Sequence, residues 1–381
     1  MPATDADSHD RTQLSLAKKL LFAIITVAAF FLILEAVLRL AGVGKPPVIG
    51  TLRFGYETGI PKYDSDGIEN EGQPFRDYPL FEADPDLFWK PIPDTQFTGR
   101  DGLRNPVPPK VRKPEGVYRV AVLGDSCSFL GRKLYPEWFA ELADQEDEVR
   151  VEVVNASCPG YTSFQGVRRL ETVWPWKPDL IVVYFGWNDH WNSLTGYTDK
   201  ELAARSEFEP ARSIFQRSHI YRATQTLLAR KQPVPTDNRS RTLRVPLPDY
   251  LENLNEIAEQ AEQHNCRIVF VTAPTAFVQE RLPEWVYPFF AQYYEMSADE
   301  IQALPDTHRQ YNNAVRKVTQ NTSCLLLDLA LEWSAEKSAG NFRQDCIHLS
   351  DQGHTNMAKA LFQLWNAHAR PKVHRRDSEE L

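Results

Sequence analysis

Five short apolar runs separated by helical patterns fill the chain between residues 118 and 328. They lie at 118–123, 149–155, 179–185, 267–272 and 324–328. In the second, Val149, Val151 and Val153 alternate with polar residues. The third reads DLIVVYF, the near-continuous apolar run that a strand buried on both faces requires. Between them, helical spacing appears at about 136–145, 165–174, 250–264 and 311–318. In the third of these, Leu251, Leu254, Ile257, Ala258 and Ala261 share one face. A last helix is expected from about Ser350, a good N-cap, to about His368. Strand and helix in alternation specify an α/β fold: a five-stranded parallel sheet with helices on both faces. Two stretches, about 190–248 and 274–305, break the alternation. They read as helical insertions long enough to roof an active site.

The first forty residues follow different rules. Residues 20–34 are apolar except for Thr26, and Glu35 and Arg39 then precede further apolar residues up to Val43. Fifteen helical residues span about 22 Å, short of a hydrocarbon core of about 30 Å, whereas 20–43 reaches about 36 Å. Glu35 and Arg39 lie one turn apart and can pair. The segment 17–43 therefore reads as a transmembrane signal anchor behind a short cytoplasmic tail, 1–16. A cleaved signal peptide and a buried core helix are the other readings. For the former, Gly42 and Gly44 are small enough for processing, but Glu35 and Arg39 sit awkwardly before such a site. Flanking positive charges tie, with Arg11, Lys18 and Lys19 against Lys45, Arg53 and Lys62. Lys18 and Lys19 lie nearest the span, so the N-terminus is placed inside and the long downstream domain outside, in the periplasm or beyond the cell.

Residues 44–115 hold 12 of the 27 prolines, with Phe75, Tyr78, Phe81, Phe88 and Trp89 interleaved. Proline removes donors and fixes φ, so long helices and central strands are excluded there. The segment reads as an extended linker partly packed on a domain spanning 116–369, and residues 370–381 as a charged tail. A net charge of −8 leaves no basic surplus to neutralise phosphates, so nucleic acid is not an expected partner. The five cysteines include no C-x-x-C pair, and no H-E-x-x-H occurs. No metal and no cofactor is expected.

In an open parallel sheet, ligands bind beyond the carboxyl ends of the strands. Four blocks stand there: Gly124-Asp125-Ser126, Asn155 to Gly160, Gly186-Trp187-Asn188-Asp189 and Asp345 to Ser350. Ser126 sits where a strand turns into a helix, beside free N–H groups. A serine needs a base, and His348 can serve, with Asp345 holding its tautomer. The N–H of Ser126, the N–H of Gly160 and the amide of Asn188 can converge as an oxyanion hole. Tyr161, Trp187, His190 and Trp191 border the same edge and are candidate substrate contacts. Cys127 and His354 read as structural, and Asp189 as a loop anchor.

These four blocks resemble those of the SGNH (GDSL-like) hydrolases over about 116–369. One departure is Cys127, where leucine is usual. The resemblance implies a flavodoxin-like three-layer α/β/α sandwich. It also implies Ser126 as nucleophile, Asp345 and His348 completing a catalytic triad, and Gly160 and Asn188 in the oxyanion hole. The anchor and linker look like those of membrane-tethered bacterial members. The expected function is a serine esterase cleaving O-acyl esters, above all O-acetyl, through an acyl-serine intermediate. Its expected substrate is an acylated small molecule or an envelope or exported polysaccharide. An O-acyltransferase using the same site is the alternative, as is a membrane-tethered polysaccharide-binding module without turnover. A scaffold subunit of an export machine is a further reading.

Overall fold

The computed structural model of the 381-residue chain describes residues 15–43, 48–49, 81–84, 86–95, 97–105, 109–146, 150–193, 196–207, 218–228, 242–277, 282–293, 296–333, 339–343 and 345–370. Most of the expected cytoplasmic tail, of the linker and of the charged C-terminal tail lies outside these residues. In chain order the elements are α1 (Leu16–Leu40), β1 (Val48–Ile49), β2 (Phe81–Asp84), β3 (Phe88–Pro91), β4 (Val117–Gly124), α2 (Tyr135–Glu146), β5 (Arg150–Asn155), α3 (Ser163–Val173), β6 (Leu180–Tyr184), α4 (Asp199–Glu207), α5 (His219–Leu228), α6 (Leu247–Gln263), β7 (Arg267–Val271), α7 (Val286–Tyr293), α8 (Ala298–Gln302), α9 (Leu304–Asn321), β8 (Leu325–Leu327), α10 (Leu329–Glu332) and α11 (Asp351–His368). The chain divides into two units. Met1–Pro46 groups with Glu209–Pro235, and Pro47–Phe208 with Thr236–Leu381.

In the larger unit, β4 to β8 form one parallel sheet in the order β5-β4-β6-β7-β8. The first strand lies inside and the chain winds outward both ways, which is the flavodoxin-like doubly wound arrangement expected above. Side-chain alternation along each strand splits the core in two. On one face Val120, Val122, Val182 and Val269 pack with Phe139 of α2 and Leu361 and Trp365 of α11. On the other, Ala121, Leu123, Ile181, Val183 and Phe270 pack with Leu170 of α3, Leu254 and Ile257 of α6, and Val315 of α9. All eight residues of β4 are buried, as are the five of β6, which explains why their sequences run apolar rather than alternating, with Arg119 of β4 the one charged residue among them.

The proline-rich segment contributes more structure than its composition suggests. β1, β2 and β3 form a small antiparallel sheet, with Pro91 at a strand end, where a missing donor is tolerated. Phe81, Phe97 and Leu103 are buried in the second core cluster. Arg104, also buried, donates to the carbonyls of Phe129 (2.9 Å), Gly131 (2.9 Å) and Phe97 (3.2 Å). Its own N–H donates to the Asn155 carbonyl at 2.8 Å. The linker thus braces the loop that follows Ser126.

In the smaller unit, α1 carries a window of mean hydropathy 2.7, and its 25 residues extend about 37 Å, enough by length and composition to cross a bilayer. A signal sequence near an N-terminus meets the same description. Arg39 Nε donates to Glu35 at 2.8 Å, pairing the two charges within the helix.

Candidate active site

The carboxyl end of β4 is shaped by its glycine. A Cβ on Gly124 would stand 2.5 Å from Ser128 Oγ and 3.1 Å from the Tyr184 carbonyl of the neighbouring strand. The chain therefore turns tightly here. Asp125 Oδ1 accepts from the Cys127 N–H at 2.8 Å and opens a 3₁₀ turn over Ser126–Ser128. Ser126 is left at the mouth of that turn, and its N–H has no partner among the described residues. Gly124→Ala is expected to push Ser128 and the turn apart. The expected loss is about 1–3 kcal/mol of stability, read as a fall in urea midpoint, together with loss of activity.

The second end of the site is the loop before α11. Cys346 adopts φ 62°, a left-handed conformation uncommon outside glycine, and the chain reverses there. The Cys346 carbonyl accepts from the Ala276 N–H at 3.0 Å and from Thr275 Oγ1 at 3.2 Å, which tie this loop to the one after β7. The reversal folds Asp345 over its own backbone: Oδ1 accepts from the N–H groups of Ile347 and His348, both at 2.8 Å. Oδ2 is 2.8 Å from His348 Nδ1, and His348 Nε2 is 2.8 Å from Ser126 Oγ. With Asp345 accepting from Nδ1–H, Nε2 presents its lone pair to the serine hydroxyl. Burial acts to raise the Asp345 pKa. The His348 charge, its hydrogen bond and the two backbone donors outweigh this and hold the carboxyl below its ordinary value. This relay can draw a proton from Ser126 without any further movement of the three side chains.

The loops after β5 and β6 supply donors. Gly160 has φ 78°, and its carbonyl accepts from Arg244 Nη1 at 2.7 Å, while its N–H has no partner among the described residues. Asn188 is buried, and its amide nitrogen donates to the Tyr161 carbonyl at 3.0 Å and to Asp125 Oδ2 at 3.2 Å. Burial raises the Asp125 pKa to about 6, against the Cys127 N–H and the His348 charge, which both lower it. Asp189 anchors its loop to the start of α3. Oδ1 accepts from Ser163 N–H (2.8 Å) and Oγ (2.6 Å), and Oδ2 from the Gly186 N–H (3.1 Å). Burial pushes it up to about 7.

The expected substrate contacts are corrected by the structure. Trp187 is 2% exposed, stacked on His308 at 3.8 Å and edge-on to Phe277. His190 is buried and bonds through Nε2 to His308 Nδ1 at 3.0 Å. Trp191, 3% exposed, packs its ring against Phe289 and Phe290 of α7. Tyr161 is buried too, its hydroxyl donating to the Trp89 carbonyl at 2.8 Å. The cause is coverage: α7, α9 and the linker close over these rings, so none offers a flat face to a ligand. His354 is structural, taking the Tyr135 N–H on Nδ1 and giving Nε2–H to the Leu130 carbonyl. Cys127 is buried, and that burial raises its thiol pKa far above the ordinary value, unlike a reactive thiol. Sequence reasoning missed Arg104, Thr275 and the Asp125–Asn188 contact.

A family model described as the GDSL-like Lipase/Acylhydrolase family matches residues 122–355. No curated protein matches in sequence. Solved structures with similar architecture include the lipase/acylhydrolase from Enterococcus faecalis, 14% identical, covering 67% of this chain and 98% of that one, with a TM-score of 0.42. Another is a catalytic mutant of Axe2, an acetylxylan esterase from Geobacillus stearothermophilus, 16% identical, covering 65% and 93%, with a TM-score of 0.40. The acetyl xylan esterase AlAXEase is 16% identical, covering 65% and 98%, with a TM-score of 0.40. Because the family match runs from within β4 into α11 and takes in more than half of the residues, this chain belongs to the GDSL-like lipase/acylhydrolase family, the SGNH hydrolases.

Proposed function

We propose that this hydrolase is a membrane-anchored serine esterase that removes O-acyl groups, O-acetyl foremost, from an exported or envelope polysaccharide. The observation that carries the chemistry is the unbroken relay from Asp345 through His348 to Ser126, with both links at 2.8 Å. Ser126 Oγ attacks the ester carbonyl while His348 Nε2 takes its proton. The tetrahedral oxyanion meets the N–H groups of Ser126 and Gly160, and the Asn188 amide turns to it the N–H that otherwise makes its longer bond, the one to Asp125 Oδ2. His348 then returns the proton to the leaving alcohol, and an acyl-serine remains. Water, deprotonated by the same imidazole, releases the acid. Asp345 holds the imidazole in orientation and offsets its charge when protonated. The apolar helix α1 supports an anchor, with the hydrolase unit on the outer face.

The full chain in detergent or vesicles is expected to hydrolyse p-nitrophenyl acetate and to release acetate from an acetylated polysaccharide such as acetylxylan. No turnover of either ester by folded protein would count against the reading. Asn188→Ala is expected to lower kcat by about 10²–10³ through loss of one oxyanion donor. It should also lower stability by about 1–3 kcal/mol, because the Tyr161 carbonyl and Asp125 Oδ2 lose a buried partner. Steady-state kinetics beside thermal melts separate the two effects. A variant that melts lower but keeps wild-type kcat would assign Asn188 a structural role alone.

A further inference from the structure

Gly160 offers its N–H from a residue with no side chain to hold it in place. Its φ of 78° is left-handed, and a glycine can turn the peptide planes on either side of its Cα at little steric cost. Both planes are tied from outside the loop. Trp89 of β3 donates Nε1–H to the Pro159 carbonyl at 3.1 Å. That carbonyl and the Gly160 N–H belong to one trans peptide and point in opposite directions, so a bond on the first aims the second. On the other side of the Cα, Arg244 Nη1 donates to the Gly160 carbonyl at 2.7 Å, and the Tyr161 N–H of the same peptide donates to the Cys158 carbonyl at 3.2 Å.

The two clamps are themselves joined. The Arg244 guanidinium lies over the Trp89 ring, 5.5 Å from its centroid. Its Nη2 and Nε donate to the two Asp199 carboxylate oxygens at 2.9 and 3.3 Å, a fork that fixes its plane and leaves Nη1 for Gly160. Asp199 Oδ2 also accepts from Oγ1 of Thr162, the residue that caps α3, at 2.8 Å. Tyr161 Oη closes the circuit by donating to the Trp89 carbonyl at 2.8 Å. Neither clamp comes from the alternating strands and helices that carry the four blocks. Trp89 lies in the proline-rich segment, and Arg244 in the insertion between β6 and α6. We propose that Trp89 and Arg244 are positioning residues for the Gly160 oxyanion donor, so that the proline-rich segment and the insertion complete the oxyanion hole as well as covering the fold. This rests on the reading of Ser126 as nucleophile and Gly160 as donor. The bond accepted by the Pro159 carbonyl also polarises that peptide, which strengthens what the Gly160 N–H gives to a developing negative charge.

Trp89→Phe and Arg244→Met in the full chain test this. Phenylalanine keeps a ring beside Tyr161 and beneath the guanidinium but has no N–H, and methionine keeps an unbranched stem but has no donor. Each variant is expected to lower kcat/KM for p-nitrophenyl acetate by about 10–100-fold, the cost of a group held out of line, below that of losing a donor outright. Phenylboronic acid bonds Ser126 Oγ to boron as a tetrahedral adduct with an oxygen in the hole, so its Ki is expected to rise by the same factor. Thermal melts identify the folded variants. A structural role alone would lower the melting temperature and leave both kinetic quantities near wild type. A kcat/KM or a Ki within about twofold of wild type in a folded variant would overturn the role of the residue replaced. Wild-type protein that neither hydrolyses the ester nor binds the boronic acid would instead refute the esterase reading, an outcome distinct from failure of the clamp.

Discussion

Ser126→Ala is expected to lower kcat for ester hydrolysis by about 10⁴–10⁶-fold, leaving only the weak rate that donors and binding sustain without a nucleophile. The fold should be indifferent to the change. Among the described residues Ser126 Oγ makes one hydrogen bond, to His348, whereas the turn is held by the Ser126 carbonyl, which accepts from the N–H groups of Phe129 (3.1 Å) and Leu130 (2.8 Å). Alanine keeps both, so the melting temperature should move by no more than about 2 °C. p-Nitrophenyl acetate kinetics and a thermal melt read the two quantities. Retention of activity within tenfold, in protein free of wild-type contamination, would remove Ser126 from the chemistry.

Asp345→Asn is the second large effect, expected at about 10⁴-fold in kcat. The amide can keep Oδ1 on the Ile347 and His348 N–H groups, so the loop has no reason to move. It turns an NH₂ toward His348 Nδ1, however, which puts the imidazole proton on Nε2, facing the serine. A base with its proton already in place cannot take another. The same substitution has a pH signature in stability. The Asp345 carboxyl sits below its ordinary value of 3.8 in the folded protein, so its contribution is complete above that value and is lost as pH falls through the folded pKa. The stability difference between wild type and Asp345→Asn should therefore be larger at pH 7 than at pH 3. Urea midpoints at the two values check the sign.

Much of this site could be read from the chain because its parts are short, contiguous blocks, each at the carboxyl end of a strand. The strands were legible for a physical reason: β4 and β6 are buried on both faces, so their sequences admit almost nothing polar. What stayed hidden depends on distant segments meeting. Arg104 reads as the end of a turn, yet it braces the loop 25 to 27 residues later. Trp187 and Trp191 stand next to Asn188 and look like a rim. They are interior only because α7 and α9, about a hundred residues further on, cover them. Glu35 looks like a flaw in an apolar span until Ser218, 183 residues away, is placed on it. Local pattern reports the strand and its turn. The exposure of a side chain beyond the turn is set by what docks there later.

The most direct test of the account is the covalent state of Ser126 during turnover. Rapid acid quench of the full chain with p-nitrophenyl acetate, followed by peptide mass spectrometry, is expected to show an acetyl adduct on the peptide containing Ser126. His348→Ala should lose that adduct, for want of a base. An acetyl group found on another residue, or ester turnover with Ser126 never modified under conditions that trap acyl intermediates, would contradict the account.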